Sequence, residues 1–139
     1  MIKFLRIFKK MKIIFQLWHE LKMRLSRRDL NLRFREREIF WTHCGKNLGF
    51  EIDGKSENFS RPVLILKKFS RETFVGIPLT TKPKRGNYFF KISFADGKKS
   101  IAIFSQIRTF DQKRLIKKIG EISPTEFAIL KRKLRQLFK

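Results

Sequence analysis

The sequence predicts a mainly β domain, a small antiparallel barrel with helices at both ends of the chain. Three observations support this prediction. Four strand-like segments rich in β-branched and aromatic residues follow one another between positions 61 and 107. A helical pattern without Gly or Pro precedes them, and a helix-capping signal follows them. With 139 residues, 42% of them hydrophobic, the chain is long enough for one compact domain with a buried core.

An amphipathic helix is expected within residues 1–30. Its large apolar residues recur at steps of three and four and form one stripe: Phe4, Phe8, Met11, Phe15, Trp18 and Leu25. We expect this stripe to dock on its own domain or on a second copy. A basic helix lying on an anionic membrane is the less favoured interpretation. Because Lys or Arg recurs every few residues, the segment predicts neither a signal peptide nor a membrane span.

Strand patterns dominate the middle of the chain. The segment EIFWTHC predicts a first strand, and a long loop rich in Gly, Asn, Asp and Ser follows it up to residue 60. Four more strands are predicted in RPVLILKKF, TFVGIPL, YFFKISF and SIAIFSQI. Asp96-Gly97, in the connection ADGKK, is a strong hairpin signal. These strands should therefore pair antiparallel and curl into a small barrel.

Two helices are predicted near the C-terminal end. Asp111 can cap a basic helix in DQKRLIKK, and Ser123-Pro124-Thr125-Glu126 is a capping box with Pro at the first helical position. The second helix has one apolar stripe, formed by Phe127, Leu130, Leu134 and Leu137. The predicted organisation is an N-terminal amphipathic helix, residues 1–30, and a barrel domain with its C-terminal helices, residues 36–139.

The charge of the chain predicts a polyanionic partner. The formal net charge is +22 and the pI is near 10.9, so nucleic acid, an acidic protein and an anionic membrane are the candidates. A single cysteine, Cys44, excludes an internal disulfide and fits a reducing cytoplasm, the expected location. His19 and His43 are too few and too scattered to predict a metal centre or a histidine-based ribonuclease. No metal and no cofactor is expected.

Polar side chains stand at the ends of three predicted strands. They are Arg61 at the start of one strand, Thr80 and Thr81 at the end of the next, and Ser105, Gln106 and Arg108 after the last. In an antiparallel barrel these ends can share one rim. Arg supplies planar donors suited to phosphate, and Thr and Gln add neutral hydrogen bonds. Such a group can hold a phosphodiester and stabilise charge that develops on its oxygens during cleavage.

Each of these residues also has a structural interpretation. Arg61 can pair with Glu51 or Glu57, the two threonines can cap a turn, and Gln106 can satisfy loop backbone. The residues alone therefore leave both interpretations open.

Several segments, taken in order, resemble the MazF/PemK-type toxins of toxin-antitoxin modules. They are REIFW, LGFEIDGK, RPVLIL, GIPLTTK and SQIRTFDQKRLIKKIGEIS, and the likeness runs from Glu36 to the last residue. Phe15 and Trp18 resemble a Phe-x-x-Trp element of a longer PemK-like subgroup. The resemblance implies a CcdB/MazF-type, SH3-like barrel, usually a homodimer, which cleaves single-stranded RNA at short sequences without a metal. It also implies an acidic antitoxin that lies across the basic rim and blocks it.

The resemblance also implies roles for individual residues. In this family the ribose 2′-hydroxyl attacks the adjacent phosphorus, which leaves a cyclic phosphate and a free 5′-hydroxyl. Arg61 matches the catalytic arginine, which would stabilise charge on the phosphorane, and Thr80 matches the strand-end threonine, which would bind a phosphate oxygen. The residues expected to bind RNA or to support the site are Glu51, Thr81, Lys84, Arg85, Ser105, Gln106 and Arg108.

The sequence departs from the family pattern at two positions. Ser105 stands where some relatives carry an acidic residue proposed as the base, and Phe50 stands where a small or polar residue is commoner. Two other functions therefore stay open. One is a basic module that binds RNA or an acidic partner without catalysis, and the other is a toxin of the same fold directed at a protein such as gyrase.

Overall fold

The fold is an antiparallel sheet, with one helix before its strands in the sequence and one helix after them. The computed structural model describes residues 1–94 and 96–139. The elements are α1 (Ile2–Ser26), β1 (Glu38–His43), β2 (Ser60–Lys68), β3 (Thr73–Thr80), β4 (Phe89–Ser93), β5 (Lys99–Ile103), β6 (Arg108–Asp111), β7 (Leu115–Glu121) and α2 (Pro124–Gln136). The first helix and five predicted strands lie within a few residues of their expected positions.

The strands form one sheet in the order β4-β5-β3-β2-β1-β7. Strand β3 is its centre, because one edge of β3 pairs with β2 while the other edge is shared by β6 and β5. All these pairings are antiparallel, as predicted. Within the part of the chain that the structure describes, no ladder joins β4 to β7. The closed barrel expected from the sequence is therefore not shown, and the pairing is that of an open path.

Both faces of the sheet are buried at the middle of β2, which explains the unbroken apolar run there. Val63 and Ile65 point into a cluster with Phe40, Phe74 and other aromatic residues. Leu64, between them, points to the opposite face and packs in the cluster that α2 covers. Alternate residues of a strand point to opposite faces, so a strand covered on both sides needs apolar residues throughout.

The Asp96-Gly97 hairpin signal lies between β4 and β5, which pair antiparallel as predicted. Gly97 has a φ of 87°, a left-handed conformation that favours glycine. Its N–H donates to the carbonyl of Phe94, and the Phe94 N–H donates to Lys98. Ala95, in the same connection, lies outside the described residues.

Only one of the two predicted C-terminal helices exists, and the prediction for DQKRLIKK was wrong. Asp111 does cap this segment, since its carboxylate accepts a hydrogen bond from the Lys113 N–H at 2.8 Å. The capped structure is a single 3₁₀ turn, Gln112–Arg114, and the chain then continues as β7. Strand β7 pairs with β1 and buries Leu115 in the core. The helix propensity of Lys, Leu and Arg is only a weak preference, which this pairing overrides.

The second predicted helix, α2, is confirmed with its cap. The Ser123 hydroxyl accepts from the Glu126 N–H at 3.1 Å, and Pro124 is the first helical residue. The apolar stripe predicted for this helix packs on the sheet. The Glu126 carboxylate reaches across to accept from the Ser93 N–H of β4 at 2.6 Å. A cap residue thus also fixes the helix to the sheet.

Helix α1 docks on the domain only through its C-terminal half. Trp18 and Leu25 are buried and pack with Phe59, the Trp18 and Phe59 ring centroids being 5.6 Å apart. The Lys113 ammonium donates to the last helical carbonyl, that of Ser26. The rest of the predicted stripe is exposed. Docking of α1 on its own domain is therefore observed for its second half; the first half is exposed in this single chain, and its docking on a second copy stays a prediction.

Candidate active site

The loop between β1 and β2 closes on itself and carries the first part of the site. The N–H groups of Cys44 and Gly45 both donate to the Phe59 carbonyl, at 2.8 and 3.0 Å. The Gly54 N–H donates to the Gly45 carbonyl at 2.8 Å. A Cβ on Gly54 would lie 1.7 Å from the Phe59 oxygen, so only glycine fits there. Trp18 of α1 packs against Gly45 and supports the loop from outside.

Arg61, near the start of β2, joins this loop to strand β3. Its Nε donates to the Asp53 carbonyl at 2.9 Å, and one Nη donates to the Leu79 carbonyl at 3.1 Å. Burial lowers the pKa of the guanidinium, and the nearby Asp53 and Cys44 groups oppose that shift. Arginine nevertheless stays protonated in proteins. The guanidinium is thus a fixed cation whose remaining N–H groups are available to a ligand.

Thr80 and Thr81 lie close to Arg61, because they directly follow Leu79, whose carbonyl accepts from the Arg61 guanidinium. Arg61, Thr80 and Thr81 all line one open cavity. The Thr80 hydroxyl oxygen accepts from the Lys82 N–H at 3.2 Å, so its own proton is left to donate elsewhere. The Ser100 hydroxyl donates to the Thr80 carbonyl at 3.1 Å and fixes this strand end. The structure therefore brings together the residues on which the sequence-based hypothesis depends.

The cavity contains further polar and aromatic residues that the sequence analysis did not select. Its other lining residues are Trp41, Lys55, Ser56, Asn58, Ser60, Pro62, Leu79, Ser100, Ile116 and Lys117. Lys117 was missed because its segment was assigned to a helix. The segment LIKKIGE does not alternate strictly, and the signals against a helix were the β-branched Ile116 and Ile119 with Gly120 after them. Trp41 and Ser100 carry no local signal, since only pairing with distant strands brings them to the cavity.

Three arginines surround the buried thiol of Cys44. Burial raises the pKa of Cys44 to about 11, although the positive charges of Arg61, Arg108 and Arg114 act in the opposite direction. Cys44 is therefore a neutral thiol and a core residue rather than a nucleophile. Arg114 donates to the His43 carbonyl at 3.0 Å. The guanidinium of Arg108 lies 4.7 Å from the centre of the Phe110 ring, and this predicted site residue is not among those that line the cavity.

Glu51 and Gln106 meet the loop backbone rather than the cavity. The Gln106 carbonyl oxygen accepts from the Ile52 N–H at 2.9 Å, and its NH₂ group donates to the Phe50 carbonyl at 3.1 Å. The Glu51 carboxylate accepts from the Leu48 N–H at 3.0 Å. The structural interpretation of Gln106 is thus the one that the contacts favour. Phe50 is fully exposed and contributes no packing beneath the loop.

The remaining predicted residues lie elsewhere on the surface. Lys84 and Arg85 line a separate groove together with Lys91 of β4 and Lys133 of α2. Ser105 is exposed in the 3₁₀ turn that follows β5. These residues do not share the cavity of Arg61, but the groove extends the basic surface on the same domain.

His43 is buried at the end of β1, where one ring nitrogen, Nδ1, lies 2.6 Å from the Asn58 carbonyl. Burial lowers the pKa of His43 from its usual 6.5, and the charges of Arg28 and Arg114 act in the same direction, whereas the hydrogen bond to Asn58 opposes them. A lowered pKa means that the unfolded chain binds this proton more readily than the folded chain does. The associated stability is therefore fully present above pH 6.5 and is lost as the pH falls through the lower pKa of the folded state.

We expect His43→Asn to reduce this loss of stability at acid pH. The measurement is the free energy of unfolding in urea at a series of pH values on both sides of 6.5. Asn can still donate to the Asn58 carbonyl, so the loop connection is retained. His19→Gln, on an exposed position of α1, is the matched control and should leave the pH dependence unchanged. The same pH dependence in the wild type and in His43→Asn would show that His43 has no such role.

Neither a metal-binding cluster nor a membrane-spanning helix occurs in the described part of the chain. Among residues 1–94 and 96–139, no three His, Cys, Asp or Glu side chains are grouped so that they could hold a metal ion. Over the same residues, no helix has the length and hydropathy needed to cross a membrane.

Solved structures show the same fold. MazF (Form-I) from Deinococcus radiodurans has a TM-score of 0.60 and 16% identity, and the match covers 77% of this chain and 97% of that one. The "Endoribonuclease in complex with its cognate antitoxin from Mycobacterial species" has a TM-score of 0.57 and 16% identity, with 76% and 95% covered. The Mycobacterium tuberculosis toxin MazF-mt6 has a TM-score of 0.55 and 16% identity, with 73% and 96% covered. Because the sequence identity is only 16%, these likenesses establish the MazF-like fold and no more.

A comparison with curated protein sequences gave no match. A family model, described as "PemK-like, MazF-like toxin of type II toxin-antitoxin system", matches residues 35–138. This match begins after α1 and includes the whole sheet, the cavity and α2. The chain therefore belongs to the PemK-like, MazF-like toxins of type II toxin-antitoxin systems.

Proposed function

We propose that this toxin is an endoribonuclease that cleaves single-stranded RNA at short sequences, without a metal ion, in the cavity of Arg61 and Thr80. The observation that carries the proposal is the convergence of these two side chains, which are distant in the sequence. The Arg61 guanidinium donates to the carbonyl of Leu79, and Thr80, the next residue in the chain, lines the same cavity. A fixed cation beside a hydroxyl donor suits a phosphate group whose charge increases during the reaction.

The proposed reaction uses the RNA's own 2′-hydroxyl as the nucleophile. A bond forms between the 2′-oxygen and phosphorus, and the bond from phosphorus to the 5′-oxygen breaks. The 2′-hydroxyl loses its proton, and the 5′-oxygen gains one. The products are a 2′,3′-cyclic phosphate and a 5′-hydroxyl. Arg61 stabilises the charge on the phosphorane oxygens, while Thr80, whose oxygen already accepts from Lys82, donates to one of them.

The surrounding residues guide the RNA chain. Lys55 and Lys117 line the cavity beside Arg61, and Trp41 offers an aromatic ring there. Lysines neutralise phosphates, and bases of single strands stack on aromatic rings. Thr81 adds a second hydroxyl at the strand end. Lys84 and Arg85 continue the basic surface in the adjacent groove. We assign RNA binding to these residues, and we assign Glu51, Ser105, Gln106 and Arg108 to supporting the loop and its surroundings.

The proposal extends to organisation and partners. Residues 36–139 form the nuclease domain, which acts as a homodimer, and residues 1–30 form a separate helical extension. An acidic antitoxin covers the basic rim and blocks RNA. Support for such a partner comes from two structures of the same fold, the mycobacterial endoribonuclease in complex with its cognate antitoxin and MazE-MazF from Deinococcus radiodurans. The net charge of +22 favours both proposed partners, the RNA and the acidic antitoxin.

Incubation of the purified protein with a mixed-sequence RNA in EDTA tests this function. We expect cleavage, with products that end in a cyclic phosphate and begin with a 5′-hydroxyl. DNA of the same sequence is the control and should stay intact, because it lacks the 2′-hydroxyl. Intact RNA after incubation with demonstrably folded protein would overturn the proposal.

A second candidate is a basic module that binds RNA or an acidic protein without cleaving it. The contacts of Gln106 favour it, since both ends of this amide are engaged with the loop and neither faces the cavity. Ser105, which stands where some relatives carry an acidic residue, also favours this function. Binding without turnover, with an affinity that falls steeply as salt rises, would identify this function.

A further inference from the structure

The N-terminal half of α1 extends beyond the domain with an apolar stripe that nothing in the described part of the chain covers. Phe4 is 69% exposed and Phe8 is 58% exposed, and Met11 and Phe15 on the same line are exposed as well. Steps of four, three and four residues place these side chains on one face of the helix. The stripe, as defined by Phe4, Phe8, Met11 and Phe15, covers roughly 16 Å of helix.

This half of the helix is strongly cationic. Its charged residues are Lys3, Arg6, Lys9, Lys10 and Lys12, and no acidic residue occurs before Glu20. A helix with several large exposed apolar side chains and only positive charge is complementary to an apolar surface bordered by carboxylates. An exposed apolar stripe bordered by charges marks an interaction site more often than a free surface.

A second copy of the chain does not fit this surface well. Two such helices packed side by side would bring ten positive charges together without one carboxylate among residues 1–19 of either copy. Like charges at such spacing destabilise helix pairs.

A flat membrane surface also fits less well than a protein partner. Ile2, Ile13 and Leu17 are exposed on the face opposite the stripe, and Leu5 and Ile7 are exposed between the two faces. A helix lying on a bilayer buries one apolar face and keeps a polar face in water. Exposed apolar residues on both sides of α1 leave no purely polar face to stay in water.

We propose that this half of α1 is the docking site for an acidic amphipathic helix of a partner protein. Its apolar residues cover the stripe, and its carboxylates pair with the flanking lysines and arginine. That the partner is the antitoxin rests on the proposed function, but the docking itself does not. Because α1 precedes the residues that the family model matches, 35–138, this surface is an addition to the common toxin domain.

The stripe ends at the loop that holds Arg61. The Lys46 ammonium lies 5.9 Å from the centre of the Phe15 ring and pairs with the Asp53 carboxylate at 2.7 Å. The Asp53 carbonyl in turn accepts from Arg61. A partner bound along the stripe would therefore reach the edge of the loop, next to the proposed active site.

The test measures binding of the full chain to a fluorescent synthetic peptide whose helical heptads carry Leu at the core positions and Glu elsewhere. Phe4→Gln/Phe8→Gln removes the two phenylalanines at the N-terminal end of the stripe with little effect on helix formation, and we expect the affinity for the peptide to fall by about tenfold or more. Phe69→Gln/Phe138→Gln is the matched control, because these phenylalanines are 60% and 76% exposed away from α1. That control should bind as the wild type does. A peptide with Gln at the core positions should bind the wild type poorly.

Other results would overturn the proposal. Equal binding of the peptide to wild type and to the α1 variant would place the acidic peptide elsewhere on the basic surface. Binding to phosphatidylglycerol vesicles that depends on Phe4 and Phe8, without binding to the peptide, would favour a membrane. Self-association that depends on the same residues would favour a second copy. RNA cleavage should be retained by Phe4→Gln/Phe8→Gln, so loss of docking and failure of the nuclease proposal are separate results.

Discussion

Replacement of Arg61 by alanine is expected to lower the rate of RNA cleavage on the order of 10²- to 10³-fold. The guanidinium is held on the carbonyls of Asp53 and Leu79, so it needs little reorganisation when charge develops on the phosphate. Loss of such a preorganised donor acts mainly on the transition state. The measurement is the single-turnover rate on a fluorogenic RNA at saturating protein.

Arg61→Ala also has a structural cost that must be measured separately. The carbonyls of Asp53 in the loop and of Leu79 in strand β3 lose their hydrogen-bond donor, which we expect to reduce the free energy of unfolding by about 1–3 kcal/mol. Arg28→Ala is the matched control, because Arg28 is also partly buried and donates to a backbone carbonyl, that of Lys113, at 2.8 Å. Arg28→Ala also removes one positive charge, but at a position outside the cavity, and this variant should retain most of the activity. Wild-type cleavage by folded Arg61→Ala would remove the central assignment.

Gly54→Ala is expected to reduce cleavage by about 10²-fold, although Gly54 has no side chain that could contact RNA. The added methyl group would lie 1.7 Å from the Phe59 oxygen and 2.5 Å from the Ser60 nitrogen, both of which are backbone atoms. The loop must therefore shift, and the Asp53 carbonyl that directs Arg61 moves with it. Displacement of a positioned group by about 1 Å is enough for an effect of this size.

The cleavage rate and the free energy of unfolding of Gly54→Ala should both be measured. We expect the overpacked loop to cost on the order of 1–3 kcal/mol, which leaves the domain folded in the activity assay. Gly49→Asn is the control in the same loop, since no atom lies within 4 Å of a Cβ there and Asn tolerates its φ of 56°. If Gly54→Ala cleaves as fast as Gly49→Asn, the loop does not position Arg61.

Local signals in the sequence were sufficient for most elements of the fold. The alternating and apolar runs of β1 to β5, the capping box of α2 and the Asp96-Gly97 turn act over a few residues, so they can be read without a partner. The helical period of α1 is equally local. Which half of α1 would be buried was not encoded locally, because burial depends on where Phe59 and Gly45 lie after the loop has closed.

The candidate site was predicted in its centre and missed at its edges. Arg61 and Thr80 could be selected because they stand at strand ends in segments that resemble a known family. Lys117 and Trp41 could not, since they enter the cavity through the pairing of β1 with β7. Gln106 was selected as a site residue, yet its amide is engaged with the backbone at Phe50 and Ile52. A polar side chain looks the same in the sequence whether it binds a ligand or a loop.

The sequence by itself determined the mainly β class, the charge that calls for an acidic partner, and the chemical types at the site. Only the tertiary structure decided that Leu115–Glu121 is a strand, that the sheet follows an open path, and that Arg61 is fixed between Asp53 and Leu79. The physical reason is the range of the interactions. Helix periods, caps and turns depend on neighbours within a few residues, whereas strand pairing and side-chain anchoring depend on partners that only the folded chain brings into contact.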